Sequence, residues 1–338
     1  MASAWYVRLC AVVIILSLDS FVSASKYDKV HHNSGTHHVP DGGLRDNYYH
    51  RSCPHVEKII FKEISKCFKA DKKIAPGILR MSFHDCFVRG CDCSLLLKGN
   101  NTERSSRSNA NLHGFEALNA AKDAVEKACP GVVSCSDVLQ YATRDVVILA
   151  GGFGWNVPGG RRDGTVSKVE DVNLTNLPSP RANATNLIQL FESKGMTLAQ
   201  MVVLSGAHTI GKATCITFDN RLHSDIPEPY ADPYSPSFKL YLKSQCPNPN
   251  MFVRVNLDST PEKFDGRYFH DLVHHRGLLT SDQTLMSDSR TRHCVYKNRD
   301  DGVFKKNFAE AMVAMSKIGV LTGKDGEIRR RMEVVNSK

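Results

Sequence analysis

The densest chemistry in this chain lies in one run of eleven residues, Arg80-Met81-Ser82-Phe83-His84-Asp85-Cys86-Phe87-Val88-Arg89-Gly90. Arg80 and His84 are four apart, so on a helix they project from one face, one turn from each other. A neutral imidazole accepts a proton, and a guanidinium beside it stabilises negative charge as a bond breaks. Asp85, Asp92 and Ser94 add oxygen ligands of the kind a hard cation takes. Far downstream, Leu204-Ser205-Gly206-Ala207-His208-Thr209-Ile210-Gly211 carries a second histidine able to ligate a metal. The chemistry implied is an acid/base pair beside a cation site, with a distant metal-binding imidazole.

Those residues need a scaffold, and the pattern from Leu44 onward is helical. Val56, Ile59, Ile60, Ile64, Cys67 and Phe68 recur at three- and four-residue steps after Pro54, which predicts one amphipathic helix. Pro76 opens the next helix, which carries Arg80 and His84. Phe115 to Ala128 has good helix formers and ends at Pro130, and Ser136 to Leu149 is stopped by Gly151-Gly152. Thr197-Leu198-Ala199-Gln200 is a capping-box signature for a helix running towards His208. Lys305 to Ile318 is a last long helix with Phe308, Met312 and Met315 on one face. No strand-like alternation, internal repeat or interdomain linker is visible, so one mainly α domain is expected over 44–338.

The first 24 residues read as a secretory signal peptide: Arg8 precedes an apolar run from Leu9 to Leu18, and Val22-Ser23-Ala24 offers a cleavage site. That run is too short to span a bilayer, and no later stretch is long enough. Residues 25–43 form a polar leader with doublets His31-His32 and His37-His38, whose composition reads as flexible. Of eleven cysteines, only Cys10 falls in the signal. In an oxidising compartment most of the others should pair, and their spacing does not fit zinc. Sequons at Asn100, Asn173 and Asn183 suit a secreted glycoprotein. The formal charge of +9 comes from scattered basic residues with no nucleic-acid motif. Such a charge favours an anionic matrix such as acidic polysaccharide.

Taken in order, Cys53-Pro54, Arg80 to Ser94, Val133-Ser134-Cys135, Gly160-Arg161-Arg162-Asp163, Asn176-Leu177-Pro178-Ser179-Pro180, Leu204 to Gly211, Phe264-Asp265 and Ser281-Asp282-Gln283 resemble the motifs of the secretory plant peroxidases, the class III haem peroxidases. The likeness covers nearly all of residues 44–338. It implies an all-α haem peroxidase fold of about ten or more helices, with one haem b between distal and proximal halves. It also implies a secreted, extracellular enzyme of the cell wall, monomeric by default, with hydrogen peroxide and small phenolic donors as partners. Nucleic acid and membrane are not among its partners. Lignin- or suberin-type polymerisation, wall cross-linking and peroxide removal in oxidative stress are all compatible.

By resemblance, His84 is the distal base that moves a proton from the near to the far oxygen of peroxide, and Arg80 stabilises charge on the departing oxygen. Asn109 accepts a hydrogen bond from the distal imidazole, and Glu103 extends that network. His208 matches the proximal ligand of haem iron, with Asp282 accepting from its other nitrogen. Two calcium sites are implied. The distal one takes Asp85, Asp92 and Ser94 with main-chain oxygens of Val88 and Gly90. The proximal one takes Thr209, Asp258, Thr260 and Asp265. Pro178 matches the motif beside the exposed haem edge, where aromatic donors dock. Asp137 and Arg161 match a structural ion pair, and Phe83 beside the distal imidazole reads either as a limit on access to the iron or as a core aromatic.

Two departures stand out. Asp258 lies two residues before Thr260 where the family has three, which puts the proximal site at risk. The family's bridges map onto Cys53–Cys129, Cys86–Cys91 and Cys215–Cys246, but the fourth would join Cys135 to a position that is Met332 here. Cys135 is left free or pairs with Cys67, Cys93 or Cys294, and a loosened C-terminal tail is expected.

Overall fold

The computed structural model describes residues 43–224, 229–249 and 251–336. The expected signal peptide and the leader up to residue 42, with Cys10 and the His doublets, lie outside the described residues. Twelve α-helices occur among those described.

Four helices build the frame around Arg80 and His84. Helix α1 (Val56–Ala70) buries Val56, Ile60 and Ile64, the three-and-four spacing the sequence shows. Helix α2 (Ile74–Val88) is apolar on nearly every side and sits inside the protein; Pro76 falls in its first turn, where a missing N–H breaks no bond. Helices α3 (Phe115–Ala128) and α4 (Cys135–Leu149) complete the group, with α1 packed on both and α2 packed on α4. The α4 start is set by Ser134, whose Oγ accepts from Asp137 N at 3.0 Å. From the same turn, the Asp137 carboxylate meets Arg161 at 2.7 Å, both fully buried. Tyr49 Oη and Gly160 N also donate to Asp137, at 2.7 and 2.6 Å.

The His208 region is assembled from the later helices. Helix α5 (Ala184–Ser193) is capped by Asn183, and α6 (Leu198–Ser205) has the capping box of Thr197 with Gln200. The α6 helix stops at Ser205, and His208 rides on the 3-10 turn that follows, Gly206–Thr209. Gly206 permits that turn: a Cβ there would lie 2.5 Å from the Phe304 ring. Helices α7 (Asp219–Leu222), α8 (Pro236–Gln245), α9 (Arg267–Val273), α10 (Thr280–Ser287) and α11 (Ser289–Lys297) follow, and α12 (Asp301–Met315) packs on α6 with Phe308, Met312 and Met315 buried. The last helix starts four residues earlier than its sequence pattern suggests, because Asp300 caps it through Val303 N at 2.8 Å, and it ends three residues earlier.

A small sheet was not visible in the sequence. Strand β1 (Lys212–Thr214) pairs antiparallel with β2 (Arg254–Asn256), with Ala213 opposite Val255. Three-residue strands are too short to show a period of two. Just before β1, Gly211 abuts Pro76 of α2, where a Cβ would stand 2.9 Å from the proline ring. The loop after His208 is thereby pressed against the helix that carries His84.

Candidate active site

Arg80 and His84 share one face of α2, and Arg80 Nε donates to His84 Nε2 at 3.1 Å. Arg80 Nη2 is held by Ser108 O at 2.9 Å. On the other side of the ring, His84 Nδ1 lies 2.6 Å from Asn109 Oδ1. The Asn109 amide donates through Nδ2 to the main-chain oxygen of Glu103 at 2.7 Å, which fixes Oδ1 as the acceptor and puts the imidazole proton on Nδ1. The lone pair is therefore on Nε2, next to the guanidinium. Burial, followed by the Arg80 charge, pushes the His84 pKa down to about 3, with the Asn109 bond opposing. The ring is a neutral base across the whole physiological range. Phe83 lies in an aromatic stack with Phe87 and Phe191, at centroid distances of 4.1 and 6.0 Å.

Glu103 joins this network through its main-chain carbonyl. Its carboxylate meets the Ser167 hydroxyl through Oε1 at 3.5 Å, while Oε2 is buried without a well-formed hydrogen bond. Burial raises its pKa to about 8, and Asp92 adds to the rise.

His208 Nδ1 lies 2.7 Å from Asp282 Oδ1. Asp282 sits in the first turn of α10 and is almost fully buried. It also accepts from Tyr268 Oη at 3.0 Å and from Leu279 N at 3.1 Å. Nothing in the sequence singled out Tyr268, which reaches Asp282 because α9 packs against the turn bearing His208. With Nδ1 committed to the carboxylate, Nε2 is left for a metal, and the side chain is 39% exposed. An imidazole backed by a buried carboxylate is the arrangement that suits haem iron, so this donor set fits haem. The Pro178 loop is tied to the same region, since Ser281 N donates to Pro180 O at 3.1 Å.

Asp85 and Asp92 are both buried, and each receives main-chain N–H groups: Cys93 N and Leu95 N on Asp85 at 2.9 and 3.3 Å, Ser94 N on Asp92 at 2.9 Å. Burial raises both acids, and the charges of Asp92 and Glu103 push Asp85 further. Ser94 Oγ is buried without a well-formed hydrogen bond. Crowded carboxylates around a buried hydroxyl and a Glu103 oxygen that lack well-formed hydrogen bonds fit the donor set of a hard cation. Gly164 lets Asp92 settle here, as a Cβ at that position would stand 2.2 Å from Asp92 Oδ2.

The loop after β2 gathers the other set. Thr209 Oγ1 donates to Asp258 Oδ2 at 2.7 Å, and Thr260 Oγ1 to Asp265 Oδ1 at 3.1 Å. Thr260 N closes on Asp258 Oδ1 at 2.7 Å. The one-residue shortening is thus absorbed in the loop, and all four side chains converge. Burial pushes the Asp258 pKa up to about 7. No group of three or more His, Cys, Asp or Glu side chains forms a complete metal site among the described residues. At either place a cation would be completed by hydroxyl and main-chain oxygens.

The structure forms the bridges Cys53–Cys129, Cys86–Cys91 and Cys215–Cys246. The C-terminal tail is packed in spite of the missing cysteine: Met332 and Arg329 are buried, and Glu333 pairs with Arg104 at 2.9 Å and Lys98 at 2.5 Å. Apolar burial and ion pairs replace the covalent tie. Asn100 and Asn173 are exposed, and half-buried Asn183 uses Oδ1 to cap α5 through Asn186 N at 2.9 Å.

A family profile described as Peroxidase matches residues 60–301. Peroxidase 71 of Arabidopsis thaliana is 46% identical over 310 residues, covering 91% of this chain and 94% of that relative. Peroxidase 5 of Vitis vinifera is 44% identical over 304 residues, covering 87% and 92%. The mostly helical fold is that of a haem-peroxidase-type oxidoreductase. The chain belongs to the peroxidase family, among the plant class III peroxidases. It is a peroxidase, acting on hydrogen peroxide and donor substrates, and its family implies haem and calcium. No described helix is long and apolar enough to cross a membrane.

Proposed function

We propose that this chain is a secreted, glycosylated peroxidase that binds one haem b through His208 and two calcium ions, and that oxidises phenolic donors one electron at a time. One observation carries the reading: a base hydrogen-bonded as Arg80–His84–Asn109 occurs together with a ligand hydrogen-bonded as His208–Asp282. Haem, when bound, supplies the store for the two oxidising equivalents that peroxide delivers and releases them singly to donors.

The protein's part follows from its hydrogen bonds. His84 Nε2 takes the proton from the near oxygen of peroxide and returns it to the far oxygen, so that water leaves. The developing imidazolium is stabilised by Nδ1–H donation to Asn109 Oδ1. As Nε2 takes that proton, the Arg80 N–H it previously accepted turns to the departing oxygen, whose negative charge the guanidinium stabilises. Asp282 draws the His208 Nδ1 proton towards itself, which makes Nε2 a stronger electron donor. Asp85, Asp92 and Ser94, with the main-chain oxygens of Val88 and Gly90, hold the distal calcium. Thr209, Asp258, Thr260 and Asp265 hold the proximal one. Phenols dock beside Pro178. Three disulfides suit an oxidising compartment, and the +9 charge suits retention on acidic wall polysaccharide.

The test is an absorption spectrum of the purified protein, taken before and after one equivalent of peroxide and again after a simple phenol. A haem band that shifts with peroxide and returns in two steps with phenol supports the reading. Folded protein that carries no haem, or a haem band indifferent to peroxide, overturns it.

A further inference from the structure

We propose that Cys93 and Cys135 are joined by a disulfide in the secreted protein, so that α4 is bridged to the acidic loop after α2 instead of to the C-terminal tail. Four cysteines among the described residues are unbridged. Cys67 and Cys294 are partly exposed, on α1 and α11. Cys93 and Cys135 are fully buried and their side chains adjoin, on segments held together where Ser136 Oγ, next to Cys135, donates to Cys91 O at 2.6 Å.

The backbones on both sides are fixed by buried partners. Cys93 holds φ at 61°, a left-handed conformation, with its N–H on Asp85 Oδ2 at 2.9 Å and its carbonyl on Arg329 Nη2 at 2.6 Å. Cys135 N and Arg329 N both donate to Asp163 Oδ2, at 3.0 and 2.8 Å. Arg329 thus spans the two cysteines, and its own main-chain oxygen lies 3.8 Å from Cys135 Sγ. The tail that passes Cys135, with Arg331 O at 3.6 Å from Sγ, presents Met332 and no thiol. Each buried sulfur therefore has the other as its thiol partner. No complete metal site of His, Cys, Asp and Glu side chains exists among the described residues to claim the pair.

The chemistry balances as thiol–disulfide exchange. Two S–H bonds are lost and one S–S bond forms; the two protons and two electrons pass to a disulfide oxidant of the secretory compartment, which leaves as a dithiol. Because both sulfurs are inaccessible after folding, exchange happens before α4 and the loop close over them. The Asp92 loop is then tied on both sides, by Cys86–Cys91 before Asp92 and by Cys93–Cys135 after it.

The bridge is read directly from unreduced secreted protein, alkylated under denaturing acid conditions and digested with trypsin. Cys53 falls in peptide 52–58, Cys86 in 81–89, Cys91 and Cys93 in 90–98, and Cys129 and Cys135 in 128–144. With the proposed bond all four peptides form one cross-linked ion, which reduction dissolves. Without it they appear as two separate pairs, 52–58 with 128–144 and 81–89 with 90–98. The Cys93→Ala variant should split the four-peptide ion into those pairs and leave an alkylated Cys135. Two separate pairs from the native protein overturn the proposal, and so does a four-peptide ion that survives Cys93→Ala.

Discussion

Asn109→Val removes the acceptor on His84 Nδ1 while keeping a side chain of similar size. In the native protein that acceptor stands 2.6 Å from the ring nitrogen and is itself oriented by Glu103 O at 2.7 Å. A hydrogen bond between neutral groups contributes about 0.5–1.5 kcal/mol and one to a charged group about 1.5–3 kcal/mol. Only the increase as His84 becomes an imidazolium speeds the reaction, so the lost stabilisation is about 1–1.5 kcal/mol, roughly tenfold in rate. A second loss adds to it, because with no acceptor at Nδ1 the ring proton moves to Nε2 in part of the population and blocks the base. The second-order rate constant for peroxide should fall by about 10- to 100-fold in all. Rapid-mixing absorption at excess peroxide measures it on haem-loaded protein. The pH profile supplies a second check: the Asn109 bond is the influence that holds the His84 pKa up against burial and Arg80, so its removal moves any acid limb to lower pH. A loss smaller than twofold, or an acid limb that moves to higher pH, would refute the roles assigned to His84 and Asn109.

With His84 titrating near 3, the native rate constant for peroxide should stay flat from about pH 8 to pH 4 in a rapid-mixing series. The same depressed base works against the fold in acid. The unfolded imidazole titrates near 6.5, so between about 6.5 and 3 the unfolded chain binds the extra proton and the His84 contribution to stability falls as pH drops. Asp137→Asn leaves Arg161 charged and fully buried without its partner, which should cost about 3–5 kcal/mol in a urea titration; a change below about 1 kcal/mol would count against a buried ion pair. Gly164→Ala drives a methyl group into Asp92, so thermal stability should fall by the equivalent of about 1–3 kcal/mol and calcium binding weaken in a chelator competition. Calcium removal should lower the melting temperature and the peroxide rate together, and added calcium should restore both, since the acidic loop of Asp85 and Asp92 adjoins the Asn109–Glu103 network.

Most helices were legible because their signals are local. The Thr197–Gln200 capping box, the apolar spacing of α1 and the run of Phe115 to Ala128 each lie within a few turns of chain. Boundaries were less so: α6 ends at Ser205 and leaves His208 to a separate turn, in which Gly206 sits too close to the Phe304 ring for any side chain. The short β1–β2 pair escaped notice because each strand depends on a partner some forty residues away, with too few residues to show alternation.

The sequence by itself determined which residues carry the chemistry, because Arg80 and His84 share a helix face by spacing alone and the ordered motifs around them single out a family. Tertiary structure decided how those residues are wired. It placed the Glu103 carbonyl, not its carboxylate, on Asn109, and brought the Tyr268 hydroxyl to Asp282. It closed the shortened loop so that Asp258 still reaches Thr209, and tied the start of α4 to the loop bearing Cys93 through Ser136 Oγ on Cys91 O. Each of these is a contact between side chains or carbonyls far apart in the chain. Such contacts follow from helix packing and loop closure, which no local periodicity encodes.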